Sequence, residues 1–167
     1  MSKIFKIPAY SQFLDVEDKK WKSRACGIVA LKIVLEYWGV KEKADDLIKL
    51  GLKQDAYIPG IGWKHGGLVS IAKEFGLRGE NLDWFKDLPE EAFEKLLSKL
   101  EKYPVLASIY KNFKLGGSGH LIVLTGYENG WIFFNDPDSK TRKGIQNKVV
   151  VEKFLNGWKR RIVVIHS

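Results

Sequence analysis

The hydrophobic pattern of the chain changes its period partway along, and this change constrains the fold more than any other feature of the sequence. Before Tyr103-Pro104, apolar residues recur at helical spacing, whereas beyond it they form short runs rich in β-branched and aromatic residues. Helices that precede strands, instead of alternating with them, predict an α+β fold. No repeat, low-complexity tract or Pro/Ser-rich linker divides the 167 residues, so we expect a single domain over residues 1–167.

The first predicted helix is almost wholly apolar. We expect it over residues 25–38, with Ser23 as its N-cap and Gly39 as its left-handed stop. Lys32 and Glu36 are its charged residues, and their spacing of four puts both on one narrow stripe. We therefore expect this helix to be buried on nearly every side.

The remaining elements follow from periodicity and turn residues. Helices are predicted over residues 44–50 with a stop at Gly51, over 68–75, over 93–100 after Pro89 and an acidic first turn, and over 152–158. The segment 58–67 is predicted to be a loop, because it is too rich in glycine for a helix or a strand. Strands are predicted at 105–109, 120–125, 131–134, 149–151 and 162–165, and Asn129-Gly130 predicts an antiparallel hairpin between the second and third of these strands.

Composition excludes several classes of protein. No window approaches the roughly 20 apolar residues of a membrane span, and the N-terminal residues lack the apolar stretch of a signal peptide, so a cytoplasmic location is expected. With Cys26 as the one cysteine, an internal disulfide, a Cys-type zinc site and a CxxC redox pair are excluded. The three histidines lack the spacing of metal ligands, so we expect neither a metal nor another cofactor.

The net charge of +8 bears on partners more than on the fold. Basic residues cluster at 19–24, 140–143 and 159–161, but none of these clusters matches a known nucleic-acid-binding motif. We interpret them as solvated surface and do not expect a nucleic-acid partner. A non-catalytic module that recruits nucleic acid or another anionic partner through this basic surface is the alternative, and the sequence does not predict the oligomeric state.

Cys26 falls in the first turn of the apolar helix. Free N–H groups and the helix dipole favour an anion there, and both effects lower the pKa of a thiol. Cys26 is therefore a candidate nucleophile. The alternative is structural, because a free cysteine often behaves as a small buried hydrophobic residue.

His120 opens a predicted strand directly after the glycine-rich segment 115–119, which suits a general base facing a cleft. His65 and His166 are interpreted as structural or solvent-facing. The next strand ends at Asn135-Asp136, and one of these two side chains could orient the imidazole, although both are also common turn residues. Because neighbouring residues in a strand point to opposite faces, spacing alone does not choose between Asn135 and Asp136.

The order of these residues resembles a known family, the papain-like cysteine peptidases that process bacteriocin leaders at a double glycine, together with their stand-alone relatives. The resemblance spans nearly the whole chain, and its motifs are Ile7-Pro8-Ala9-Tyr10-Ser11-Gln12, Ala25-Cys26-Gly27, Tyr37-Trp38-Gly39, Phe75-Gly76-Leu77, Tyr103-Pro104-Val105, Gly119-His120, Thr125-Gly126-Tyr127 and Asn135-Asp136-Pro137. It implies that Cys26 is the nucleophile, His120 the base, Asp136 the orienting residue and Gln12 an oxyanion-hole donor.

The periodicity predicts an α+β fold, and the resemblance implies that it is papain-like, with a cleft between the Cys26 helix and an antiparallel sheet. The expected activity is thiol-dependent cleavage of an amide bond in a peptide or protein substrate. Acyl transfer by a transglutaminase or amidase with the same triad is the chemical alternative.

Overall fold

The computed structural model describes residues 3–167, so Met1 and Ser2 of the N-terminal segment considered above lie outside the described residues. The helices are α1 (Gln12–Asp15), α2 (Cys26–Tyr37), α3 (Ala44–Lys53), α4 (His65–Lys73), α5 (Pro89–Leu100) and α6 (Val151–Gly157). The strands are β1 (Tyr57–Ile58), β2 (Gly62–Trp63), β3 (Arg78–Asp83), β4 (Val105–Tyr110), β5 (Gly119–Glu128), β6 (Trp131–Asn135), β7 (Gln146–Val150) and β8 (Trp158–His166). Strands β3 to β8 form one antiparallel sheet in the order β3-β8-β4-β5-β6-β7.

The large sheet is covered on both faces. Alternate residues of its central strands contribute to two apolar cores, because successive side chains in a strand point to opposite sides. Leu106 and Val123 pack with α2, α3 and α4, whereas Ala107 and Ile122 pack with α5 and α6. This burial of both faces explains why the second half of the chain reads as continuous apolar runs.

Helix α2 is the central helix of the first core, and residues 27–35 are all buried. Lys32 is buried with them, donates from Nζ to the Glu42 carbonyl at 2.6 Å and lies 4.2 Å from the centre of the Tyr10 ring. The predicted stop at Gly39 is confirmed, with φ at +88°. The predicted N-cap is wrong: Ala25 is the cap, and Ser23 lies in a short 3-10 turn, Lys22–Arg24.

The structure differs from the prediction around Gly51 and Gly67, because both glycines lie inside helices at points where another segment packs closely against the backbone. Helix α3 continues through Gly51, where a Cβ would lie 2.6 Å from the Trp63 ring. Residues 57–63 form the β1–β2 hairpin, and α4 begins at His65. A Cβ at Gly67 would lie 2.6 Å from that of Ala56. Glycine therefore permits contact between elements at both positions, where the sequence predicted a helix stop at Gly51 and a loop that includes Gly67.

The predicted strands correspond to β4–β8, and the Asn129-Gly130 hairpin is confirmed. Both turn residues have positive φ, 51° and 82°, and β5 pairs antiparallel with β6. The sequence missed β3, a polar edge strand that pairs with β8, because its residues lack an apolar alternation. Within residues 3–167, no helix is long and apolar enough to cross a bilayer.

Candidate active site

Cys26 is the first residue of α2 and lies beside a cavity of about 370 Å³. Cys26 is partly exposed and lines this cavity, whose walls also include Trp63 and Leu121. His120, near the start of β5, also lines the cavity, and its side chain is only 5% exposed. It lies close enough to the Cys26 thiol for its hydrogen-bonding and charge to lower the thiol pKa. The start of the central helix and the start of a central strand therefore bring these two side chains together.

Asp136 follows β6 directly and contacts the far side of the imidazole. Its Oδ1 lies 2.7 Å from His120 Nε2, which leaves Nδ1 for the thiol. The Asn135 side chain is buried and bonds to a different partner, because its Nδ2 donates to the Pro8 carbonyl at 3.1 Å. Of the two neighbours between which spacing did not choose, Asp136 is the one in contact with His120.

The charges of these three residues favour an ion pair. Burial raises the pKa of Cys26, but the hydrogen bond and charge of His120 outweigh it, so the thiol pKa lies below its ordinary value. Burial lowers the pKa of His120, but Asp136 and Cys26 together raise it to about 10. Burial likewise raises the pKa of Asp136, and the hydrogen bond from His120 reverses this, leaving the carboxyl pKa lowered. The arrangement therefore favours a thiolate beside an imidazolium.

Gln12 is the first residue of α1 and is buried. Its backbone N–H donates to the Pro137 carbonyl at 2.8 Å, which ties α1 to the turn that carries Asp136. Its Nε2 donates one hydrogen to the Lys22 carbonyl at 2.9 Å. A primary amide carries a second N–H, so one donor remains for another acceptor.

His65 was interpreted from the sequence as structural or solvent-facing. His65 lies in the cavity wall, and its pKa is lowered, first by burial and then by the charges of Arg161 and Lys159. These two residues and Arg24 also line the cavity, although their clusters were interpreted as solvated surface. No sequence signal marked them, because the folding of distant segments brings them together. His166 lies outside the cavity lining and stacks on Tyr103 at 4.9 Å between ring centres.

Metal ligation has no candidate cluster in the part of the chain that the structure describes. Among residues 3–167, no group of three or more His, Cys, Asp and Glu side chains is placed to hold an ion.

A helix-borne cysteine facing a strand-borne histidine, across a cleft in an α+β fold, defines the papain-like class of cysteine peptidase folds. The sequence profile of the Peptidase_C39 like family matches residues 4–162. The chain therefore belongs to this family, and the resemblance seen in the sequence is confirmed. No curated protein sequence matches the chain.

Solved structures share the fold across nearly the whole chain. A double glycine motif protease from an AMS/PCAT transporter, crystallised with its leader peptide, is 18% identical with a TM-score of 0.65, and the alignment covers 99% of this chain and 98% of that one. The peptidase domain of Streptococcus ComA is 20% identical with a TM-score of 0.65, and the alignment covers 86% of this chain and 92% of that one. A C39-like peptidase structure from Bacillus anthracis is 17% identical with a TM-score of 0.70, and the alignment covers 100% of this chain and 98% of that one.

Proposed function

We propose that this protein is a cysteine peptidase in which Cys26, His120 and Asp136 form the catalytic triad and Gln12 donates to the oxyanion. The observation that carries the proposal is the arrangement of three side chains: His120 acts directly on the Cys26 thiol, its Nε2 lies 2.7 Å from Asp136 Oδ1, and Cys26 and His120 both line the cavity. Family membership supports it, since the family takes its name from a peptidase.

In the first half of the reaction, the Cys26 thiolate attacks the carbonyl carbon of the scissile amide. The carbonyl π electrons move to oxygen, and the resulting oxyanion accepts hydrogen bonds from the Cys26 backbone N–H and the Gln12 amide. The Cys26 N–H is available because the first N–H groups of a helix lack intrahelical partners. His120 then protonates the leaving nitrogen, the C–N bond breaks, and an acyl-thioester remains on Cys26.

In the second half, water replaces the departed amine. His120, now neutral, removes a proton from the water while the oxygen attacks the thioester carbonyl. The C–S bond breaks, the acid product leaves, and the thiolate–imidazolium pair is regenerated. Asp136 acts throughout on His120, by fixing the ring and stabilising its positive charge.

The test is digestion of a synthetic peptide library by the wild type and by Cys26→Ala, read by mass spectrometry. The proposal expects cleavage by the wild type that is absent from the variant. Identical product patterns would show that Cys26 does not carry the activity.

Adding a primary amine to the same digestion distinguishes acyl transfer from hydrolysis. An amine-capped product in place of the acid would indicate the transglutaminase alternative, because the acyl-thioester then transfers to nitrogen instead of to water.

A further inference from the structure

The cavity beside Cys26 has a strongly basic wall. Lys159 and Arg161 reach it from β8, Arg24 from the turn before α2, and His65 from the start of α4. Among the residues that the structure describes, no Asp or Glu lines this cavity. The wall is therefore electropositive and lacks an acidic side chain of its own.

An irregularity in the sheet accompanies the placement of two of these cations. Ser108 lies opposite Arg161, whereas the next residue of β4, Ile109, lies opposite Trp158, so Lys159 and Arg160 bulge from the ladder. Lys159 Nζ lies 4.8 Å from the centre of the Tyr110 ring. The same atom would be 3.1 Å from a Cβ at Gly119. The ammonium group thus lies next to the residue that precedes His120.

These cations are poorly neutralised by the rest of the chain. Arg161 Nε lies 3.2 Å from Asp83 Oδ2, but both side chains are about half exposed, and such a pair is weak and easily exchanged. Within residues 3–167, no carboxylate forms an ion pair with Lys159. Burial, followed by the charge of Arg161, lowers the pKa of both Lys159 and His65. A bound anion would relieve this repulsion.

Two helices begin at the same cavity. Cys26 opens α2 and His65 opens α4, and neither N-cap residue makes a side-chain capping bond. Helix N-termini favour negative charge through their dipoles and free N–H groups. Their field adds to that of the three basic side chains.

We propose that the wall formed by Lys159, Arg161 and Arg24 binds a carboxylate of the peptide, so that the enzyme selects substrates with an acidic residue or a free C-terminus near the scissile bond. This inference rests on the proposed peptidase function. Because Lys159 lies beside Gly119 and an extended peptide spans about 3.4 Å per residue, the carboxylate lies within about three residues of the bond that is cut.

The experiment uses a library of short synthetic peptides with randomised positions, one set with free C-termini and one set amidated. Wild-type cleavage products are compared with those of Lys159→Gln, Arg161→Gln and Lys49→Gln. Lys49 is the matched control, because it is exposed on α3 outside the cavity lining and its loss changes the net charge equally. Thermal melting establishes that each variant is folded.

The proposal expects wild type and Lys49→Gln to prefer acidic peptides over their Gln or amidated counterparts by about tenfold or more in kcat/KM. The preference should fall by a similar factor in either cavity variant. Preference for Glu or Asp in both sets identifies a side-chain carboxylate, and preference restricted to the free-acid set identifies the C-terminus. Equal cleavage of acidic and neutral peptides, or a preference that the cavity variants retain, would overturn the inference.

A second measurement separates this inference from the proposed function. The same library is passed over immobilised Cys26→Ala protein, with and without Arg161→Gln, and retained peptides are identified by mass spectrometry. Retention of acidic peptides that depends on Arg161 supports the binding wall even if no peptide is cut. Retention without acidic enrichment overturns the wall while leaving Cys26-dependent cleavage intact.

Discussion

Asp136 presents a single carboxylate oxygen to both His120 and the chain that follows it: Oδ1 lies 2.7 Å from His120 Nε2 and accepts from the Asp138 N–H at 2.9 Å. We predict that Asp136→Ala lowers peptidase turnover by about 10²-fold or more, because the imidazole loses the group that orients it and stabilises its charge. Turnover is measured on the library's most rapidly cleaved peptide.

Asn135→Ala is the matched variant for this prediction. Loss of the Asn135 amide leaves the half-buried Pro8 carbonyl without its donor, so we expect destabilisation of about 1 kcal/mol, measured by denaturant unfolding, with turnover largely retained in the folded protein. If Asn135→Ala abolished turnover and Asp136→Ala preserved it, the assignment of Asp136 would be wrong.

The pH dependence of Cys26 provides a second prediction. Because the pKa of Cys26 is lowered, alkylation by iodoacetamide should persist well below the ordinary thiol pKa of about 8.5. In His120→Ala the hydrogen bond and charge of His120 are lost, while burial and the backbone hydrogen bonds of Leu121 and Gly27 remain, so the alkylation midpoint should move upward. An ordinary midpoint, unchanged in His120→Ala, would contradict the pairing.

The peptidase rate should fall at both low and high pH, because the reaction needs the Cys26 thiolate and the His120 imidazolium together. As pH falls, the thiolate gains a proton and the nucleophile is lost. As pH rises through the His120 pKa of about 10, the imidazolium loses the proton that the leaving amine needs. We therefore predict a broad bell-shaped profile of kcat/KM, with its acid limb below the ordinary thiol pKa. A rate that rises monotonically to high pH would argue against a preformed ion pair.

Gln12 provides a third prediction. Gln12→Ala should lower kcat by about 10²-fold, because one oxyanion donor is lost in the transition state. Gln54→Ala is the control, since that amide donates to Glu74 at the surface. The Gln12 side chain also holds the Lys22 carbonyl, so thermal melting must accompany the kinetics. Normal kcat in a folded Gln12→Ala protein would remove this residue from the catalytic site.

Two adjacent glycines at the start of α4 provide a fourth prediction, on stability. A Cβ at Gly67 would lie 2.6 Å from Ala56 Cβ and 3.2 Å from its Cα, so Gly67→Ala should destabilise the protein by about 1–3 kcal/mol. At Gly66 the nearest atom would be 3.8 Å away, so Gly66→Ala should be neutral or stabilising by up to about 1 kcal/mol. Denaturant unfolding of both variants measures the difference, and equal effects would contradict this packing.

The elements predicted from the sequence are those whose determinants are local. The apolar run of α2, the Asn129-Gly130 turn and the β-rich runs each depend on a few neighbouring residues, and the structure confirms them. Gly51 and Gly67 misled the prediction because their role depends on Trp63 and Ala56 in other segments. A glycine that ends a helix and a glycine that admits a neighbour look alike in sequence.

Some residues of the candidate site could be predicted from the sequence, and others could not. Cys26 and His120 were marked by their positions at the starts of a helix and a strand, and the family resemblance added Gln12 and selected Asp136. The structure brings Cys26, His120 and Asp136 into contact, while the catalytic roles of all four residues stay predictions. His65, Lys159 and Arg161 were missed, because their shared cavity exists only after the sheet and α4 have packed together.

The β5–β6 hairpin has a consequence for when a reactive thiol first exists. His120 and Asp136 are carried on the two arms of one tight turn, so a local folding event that takes microseconds can bring them together. Cys26 joins them from another part of the chain, and that contact requires α2 to dock on the finished sheet. A nascent or partly unfolded chain therefore carries an ordinary cysteine, and the activated nucleophile forms only once the whole molecule has folded.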